Sequence, residues 1–135
     1  MKKLSPYLSV AVILLATLMI TGGCKKKAED PIVPAFTITA TEVQLQAGGT
    51  GLQFFAKCNN DDVKMTKVTI TDPMSSFNQT YNLNGTTFIK NEIFGLQGTT
   101  EAYTKEIGTW SFNFVGNRTA DGTSFAVNGS LAVSK

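Results

Sequence analysis

From Phe36 to the end of the chain, apolar side chains recur at every second position instead of at the three- and four-residue spacing of a helix. The clearest run is Trp110, Phe112 and Phe114, which alternate with polar residues. Alternation of this kind is typical of a β-strand that turns one face towards a core and the other towards water. The pattern predicts an all-β domain with these three aromatic side chains at the centre of its core.

Segments rich in Gly, Asn, Asp and Pro divide this region into seven predicted strands. They are 36–47, 52–58, 63–71, 77–83, 87–94, 110–114 and 125–133. Seven short strands between residues 36 and 135 predict a single antiparallel Greek-key sandwich, with an eight-stranded barrel or a jelly roll as the alternative. The polar segment 95–108 is the expected crossing between the two sheets.

Three local features add detail to this prediction. The apolar parity of the first strand flips near Thr41-Glu42, which predicts a bulge or a change of sheet partner there. Asn84-Gly85 is a strong signal for a two-residue hairpin turn between the fourth and fifth strands. Gly129 occupies an inward position in the last strand, and we expect it to lie opposite the ring of Trp110.

The segment from Tyr103 to Phe114, followed by a glycine-bearing turn and an alternating last strand, resembles the end of bacterial immunoglobulin-like or fibronectin-type domains. The resemblance implies an immunoglobulin-like sandwich and includes no functional motif. The chain departs from the antibody pattern, because its second and sixth strands share no cysteine pair and Trp110 is on the sixth strand. Cys58 is expected to be a buried lone thiol, so the domain has no internal disulfide.

The chain begins with a predicted export signal. Lys2 and Lys3 form a basic start, and the apolar run 10–20 is shorter than the roughly 20 residues that a spanning helix needs. Small residues follow and lead to Cys24. This stretch resembles the lipobox of bacterial lipoproteins, with Thr21 at the position where that family usually has leucine.

The lipobox resemblance implies that the signal is removed, that Cys24 is thioether-linked to diacylglycerol, and that the new N-terminus is acylated. Lys25 implies the outer membrane of a Gram-negative cell envelope, with the domain either periplasmic or surface-facing. The alternative is an ordinary secretory signal cut near Gly23, with Cys24 incidental. The predicted organisation is a signal peptide at 1–23, a lipidated N-terminus and proline-bearing tether at 24–35, and an immunoglobulin-like β domain at 36–135.

The composition argues against several classes of function. The chain contains no histidine, which removes Ser-His-Asp and Cys-His catalysis and imidazole zinc sites. Once Lys2 and Lys3 leave with the signal, basic and acidic side chains balance, so we expect no nucleic-acid partner. The carboxylates are scattered, and their spacing singles out no catalytic pair. We therefore expect no catalytic residues, no metal and no cofactor.

A polar loop after the second strand offers a candidate cation site. Asn59, Asn60, Asp61 and Asp62 carry the hard oxygen atoms that Ca²⁺ prefers. Asn and Asp are also the usual residues of tight turns. The loop therefore predicts a turn, with calcium binding as the alternative.

Phe55 is a candidate recognition residue. Its parity is opposite to that of Leu52, Phe54, Ala56 and Cys58, so its ring is predicted to point away from the core. An outward aromatic ring in an apolar patch needs a cover or a ligand. Either the tether or a neighbouring side chain covers Phe55, or the ring marks a recognition face.

Together these features predict a lipid-anchored, non-catalytic interaction module of the cell envelope, whose partner is a protein or a glycan. One alternative is a structural or accessory subunit of an envelope assembly that donates or accepts an edge strand. A small hydrolase is a further alternative.

Replacing the predicted lipid acceptor tests the anchor. Cys24→Ser should release the protein from membranes or leave its signal uncleaved, because the lipid chains supply the long-lived attachment. Membrane fractionation and the mass of the full-length product measure this, with Ser9→Ala in the signal as a control. Unchanged fractionation and mass would exclude lipidation at this residue.

Overall fold

The computed structural model of the protein describes residues 30–97 and 101–135, which form strands, turns and loops. The chain divides into two units, Met1–Pro31 and Ile32–Lys135, and the second contains the β domain. The predicted signal, Cys24 and most of the predicted tether lie outside the described residues. Across the described ranges, no helix is long and apolar enough to cross a membrane.

The described residues form strands β1 (Phe36–Gln44), β2 (Thr50–Cys58), β3 (Val63–Thr71), β4 (Asn78–Phe88), β5 (Phe94–Gly95), β6 (Tyr103–Thr104), β7 (Gly108–Arg118) and β8 (Ser124–Val133). Their pairings are antiparallel. One sheet has the order β1-β2-β5, with β6 also beside β2, and the other has the order β4-β3-β7-β8. The all-β prediction is confirmed, and the strands form two open sheets.

Aromatic rings from the two sheets meet in the core. The ring of Phe54 on β2 lies 4.8 Å from Trp110 and 5.1 Å from Phe112, both on β7. Phe36 on β1 stacks on Phe114 of β7 at 4.2 Å. The three β7 rings are buried, as their alternation predicts. Aromatic pairs at these distances add stability beyond the area they bury, so these contacts hold the sheets face to face.

The second strand has the register that the sequence predicts. Leu52, Phe54, Ala56 and Cys58 are buried, and Phe55 between them is half-buried on the opposite face. Cys58 is a free thiol within the core. The third strand also has its predicted bounds.

β5 and β6 are two pieces of one interrupted edge strand. Both pair with β2, β5 at Ala56 and β6 at Leu52. Between them the side-chain amide of Gln97 hydrogen-bonds to β2 as the backbone of a neighbouring strand would. Its Oε1 accepts from Phe54 N and its Nε2 donates to Leu52 O, each at 3.1 Å. Residues 30–97 and 101–135 therefore contain eight strands where the sequence predicts seven, and the extra strand lies within the predicted crossing.

The hairpin predicted at Asn84-Gly85 is wrong, because the dipeptide lies inside β4 as a bulge. Both residues have positive φ, 52° and 71°, as a two-residue hairpin turn would require. β3 nevertheless pairs with β4 on both sides of the dipeptide, and the register shifts between Met65 and Lys67. The dipeptide sequence determines the local backbone conformation. Tertiary packing determines which strand the residues on either side of it pair with.

The fifth strand predicted at 87–94 is also wrong. Its first residues end β4, the chain then turns, and the short β5 belongs to the other sheet. The rings of Phe88 and Phe94 stack at 4.0 Å across this turn, whereas Ile89 and Ile93 are exposed. The segment 87–94 therefore contains a turn between the two sheets.

The bulge or change of sheet partner predicted near Thr41-Glu42 is wrong as well. β1 pairs with β2 in one continuous register along its whole length. The parity flip instead marks a change of buried face: Ile38 faces the core, and Leu45, just beyond β1, packs on Gly51. A Cβ on Gly51 would lie 2.5 Å from Leu45 Cδ2, so the glycine makes this second packing possible.

Gly129 pairs with Phe112 and not with Trp110, contrary to the prediction. Ile38 of β1 occupies the space of the missing side chain, and its Cδ1 lies 2.6 Å from the position that a Cβ on Gly129 would take. The glycine therefore lets β1 approach β8 inside the core.

Trp110 gives a direct test of the core. Its side chain is fully buried, and its Nε1 donates to Glu106 O at 3.0 Å. Trp110→Ala should lower the free energy of unfolding by about 3–5 kcal/mol, a large share of the roughly 5–15 kcal/mol typical of a domain. Urea and thermal denaturation measure the change, and the exposed Thr109→Ala is the control. Melting of Trp110→Ala at the wild-type temperature would contradict this core.

Candidate functional site

The loop after β2 binds the start of the domain. Asn60 Oδ1 accepts a hydrogen bond from Ala35 N at 2.9 Å, and Asn60 Nδ2 donates to Val33 O at 2.9 Å. Asn59 N also donates to Ala35 O at 2.8 Å. These bonds hold residues 33–35 against the end of β2, so the polypeptide leaves the domain at that end.

Asp61 and Asp62 are engaged with different neighbours. Asp61 pairs with Arg118, which also binds Asp121. Asp62 Oδ1 accepts from Lys90 N at 2.7 Å. The hydrogen bond to Asp61 is the largest influence on Arg118 and raises its pKa above the ordinary value. Arg118 therefore stays charged and connects the loop to the β7–β8 turn.

The four residues predicted as alternative calcium ligands do not converge on one point. Asn59 Nδ2 donates to Thr37 Oγ1 at 2.9 Å, and oxygen atoms of the other three accept hydrogen bonds from protein groups. Within residues 30–97 and 101–135, no group of three or more His, Cys, Asp or Glu side chains could hold a metal ion. The geometry supports the turn interpretation, and calcium binding stays a prediction.

Phe55 lies on the outer face of the β1-β2-β5 sheet, where its partners on the neighbouring strands are Thr39 and Gly95. Its ring is half-buried, and its Cε1 passes 4.0 Å from the position that a Cβ on Gly95 would take. The neighbouring strand thus provides part of the cover that the outward ring requires. A recognition role for Phe55 stays a prediction.

A tyrosine pair, which the sequence analysis does not single out, connects the two sheets. The hydroxyls of Tyr81 on β4 and Tyr103 on β6 are 2.5 Å apart, and Tyr81 donates to Glu101 Oε2 at 2.7 Å. Burial raises the pKa of both tyrosines above their ordinary values. Both hydroxyls therefore stay protonated and act as structural hydrogen-bonding groups.

The outer face of the β4-β3-β7-β8 sheet holds a shallow concavity of about 540 Å³. Its polar lining consists of Thr69, Thr71, Ser111, Asn113, Asn128 and Ser130. Asn113 Nδ2 donates to Asn128 Oδ1 at 2.8 Å. These uncharged groups can hydrogen-bond to a peptide or a glycan. Every aromatic side chain in the described ranges is buried or half-buried, so none offers a fully exposed ring for stacking on a sugar.

β8 is a free edge of the same sheet. It is ten residues long, and it pairs with β7 in continuous register and with no other described strand. Its sequence contains no charged residue and no proline. An edge strand presents unpaired backbone N–H and C=O groups, and natural proteins usually protect it with charges, proline or a bulge. β8 has none of these features and is open to strand addition.

The other long edge strands carry such protection. β4 is interrupted by the bulge at Asn84-Gly85. β1 carries Glu42, which forms an ion pair with Lys105 at 2.5 Å. Bulges and charges hinder the approach of another strand. Among the three long edges that the structure describes, β8 is therefore the one suited to docking.

The sequence alone does not identify this edge, because the neighbours of a strand depend on the tertiary fold. The available signal was the lack of charge between residues 124 and 133. A central strand covered on both sides shows the same pattern, so the signal becomes informative only when the strand order is known.

No protein-family model, curated protein or solved structure matches this chain. The features that bear on function are the stretch that ends at Cys24 and the surfaces of the β domain.

Phe55 can be tested separately from the edge. Phe55→Ala should lower the free energy of unfolding by about 1–2 kcal/mol, because the half-buried ring loses part of its apolar burial. Partner capture per folded molecule should be unchanged. Thermal melts and capture from membranes measure the two effects, with Lys57→Ala on the same face as the control. Wild-type stability combined with lost capture would instead assign Phe55 to recognition.

Proposed function

We propose that the protein is a non-catalytic, lipid-anchored component of the cell envelope that binds another polypeptide through the free edge of β8. The stretch from Thr21 to Cys24 supports lipid attachment at Cys24, and Lys25 supports the outer membrane. The tether 24–35 then holds the β domain beside that membrane.

The proposed fold is an immunoglobulin-like Greek-key sandwich. In such folds the first, second and fifth strands share one sheet, and the third, sixth and seventh share the other. Counting β5 and β6 as one interrupted strand gives the same division here, with β4 added beside β3 as variable-type domains add a strand. This agreement supports the proposed fold, but a fold of this kind does not by itself specify a function.

The observation that carries the proposed function is the unprotected edge of β8. A peptide that adds to an exposed edge gains backbone hydrogen bonds, and side-chain contacts on alternate positions supply specificity. On β8 the inward positions 127, 131 and 133 are half-buried apolar residues. An added strand would bury more of their surface, which favours its binding.

Glycan binding is the second candidate, and the polar concavity on the outer face favours it. Its hydroxyl and amide side chains can replace the hydrogen bonds that a sugar makes with water. An array of glycans probed with the full-length protein tests this candidate directly. Binding that disappears in Asn113→Ala would establish it over the β8 proposal.

Charges on the β8 edge provide the test of the main proposal. Asn128→Lys combined with Ser130→Lys should abolish capture of the protein partner from membranes, because charged edge strands resist strand addition. The matched control is Thr80→Lys combined with Asn82→Lys on the β4 edge, which should keep capture. The full-length variants are compared by cross-linking and purification from membranes, after thermal melts have shown that both are folded. Equal capture by the two variants would overturn the proposed role of β8.

A further inference from the structure

We infer that the polypeptide bound at the β8 edge is a second copy of this chain, paired antiparallel through β8 about a two-fold axis at Gly129. The inference rests on the proposed use of this edge and adds the identity of the partner. It follows from the order of side chains along β8, which is complementary to itself in one register.

Two copies of one strand that pair antiparallel about a two-fold axis must match residues symmetrically around its centre. With the axis at Gly129, the inward Val127 meets Leu131 of the second copy, and Phe125 meets Val133. On the outward face Asn128 meets Ser130, and Ala126 meets Ala132. Each cross-strand pair then joins apolar with apolar, polar with polar or small with small, and no charge opposes another.

Neighbouring registers are poorer. Moving the axis by one residue to Asn128 places Val127 opposite Gly129, and moving it to Ser130 places Leu131 opposite Gly129. In either case a half-buried apolar side chain faces a residue that has none. Because cross-strand side-chain pairs supply much of the stability of a sheet, the register centred on Gly129 is favoured.

The interior of the domain supports the same centre. Ile38 packs over Gly129, with its Cδ1 2.6 Å from the position of a Cβ there. The apolar side chains on either side of Gly129 remain only partly buried in one copy. Pairing would cover them with their counterparts and would join the two four-stranded sheets into one continuous sheet.

Cysteine pairs test the register in isolated membranes that contain the full-length protein. In the proposed dimer residue 126 of one copy faces residue 132 of the other, whereas residue 126 is far from its own counterpart. Ala126→Cys and Ala132→Cys, produced together as separate chains and oxidised, should form a disulfide-linked dimer. Either variant produced alone should not, because a disulfide requires Cα atoms within about 7 Å. Asn78→Cys with Asn82→Cys on the β4 edge is the control and should remain monomeric.

Charge variants test the same contact in the presence of these cysteines. Asn128→Lys with Ser130→Lys places like charges opposite each other twice across the axis, and the cross-linked yield should fall roughly tenfold. Asn128→Lys with Ser130→Glu places opposite charges there and should keep the yield near that of the parent. Added salt should partly restore the first variant, because it screens exposed charges.

The outcomes separate this inference from the proposed function. No disulfide between 126 and 132, or equal yields from the two charge variants, would overturn self-pairing. A disulfide from Ala126→Cys to a different protein would also overturn it. Loss of partner capture in the variant with two lysines would still support a role for β8 in binding another protein.

Discussion

The contact between Phe54 and the aromatic rings of β7 is the interaction on which the rest of the domain depends. Phe54 belongs to one sheet, Trp110 and Phe112 belong to the other, and their ring centroids lie about 5 Å apart. The domain has no disulfide, because Cys58 is its one thiol and is unpaired. Apolar and aromatic packing must therefore supply most of the free energy that opposes chain entropy.

This packing covers the inner faces of the sheets but not their edges, where backbone N–H and C=O groups need other partners or protection. At β5 and β6 the amide of Gln97 completes the hydrogen bonding of β2, and at β4 the bulge interrupts the edge. β8 has neither device. In an otherwise protected sandwich, β8 is an unprotected edge whose sequence matches itself, and this is the basis of the proposed self-pairing.

Much of the core could be predicted from sequence, because the alternation along β2 and β7 records directly which side chains are buried. The errors arose where one local pattern fits two tertiary settings. Asn84-Gly85 adopts the backbone of a hairpin turn but serves as a bulge, and the parity flip in β1 reflects packing of Leu45 on Gly51. The loop at 59–62 was predicted as a turn, but its bonds to Val33, Ala35 and Arg118 join segments distant in sequence. The edge at β8 depends on strand order, which one sequence does not specify.

The bonds of Asn60 to residues 33–35 have a consequence for how a pair of copies would lie on a membrane. They fix the exit of the tether at one end of the strands, so an antiparallel pair has its two exits at opposite ends. A ten-residue strand is about 34 Å long, and the part of the proposed tether outside these bonds, residues 24–32, reaches about 30 Å when extended. In the proposed dimer, both proposed lipid anchors would reach the same leaflet with the strands along the membrane surface. Upright copies would instead send their anchors in opposite directions, as a bridge between two facing membranes would.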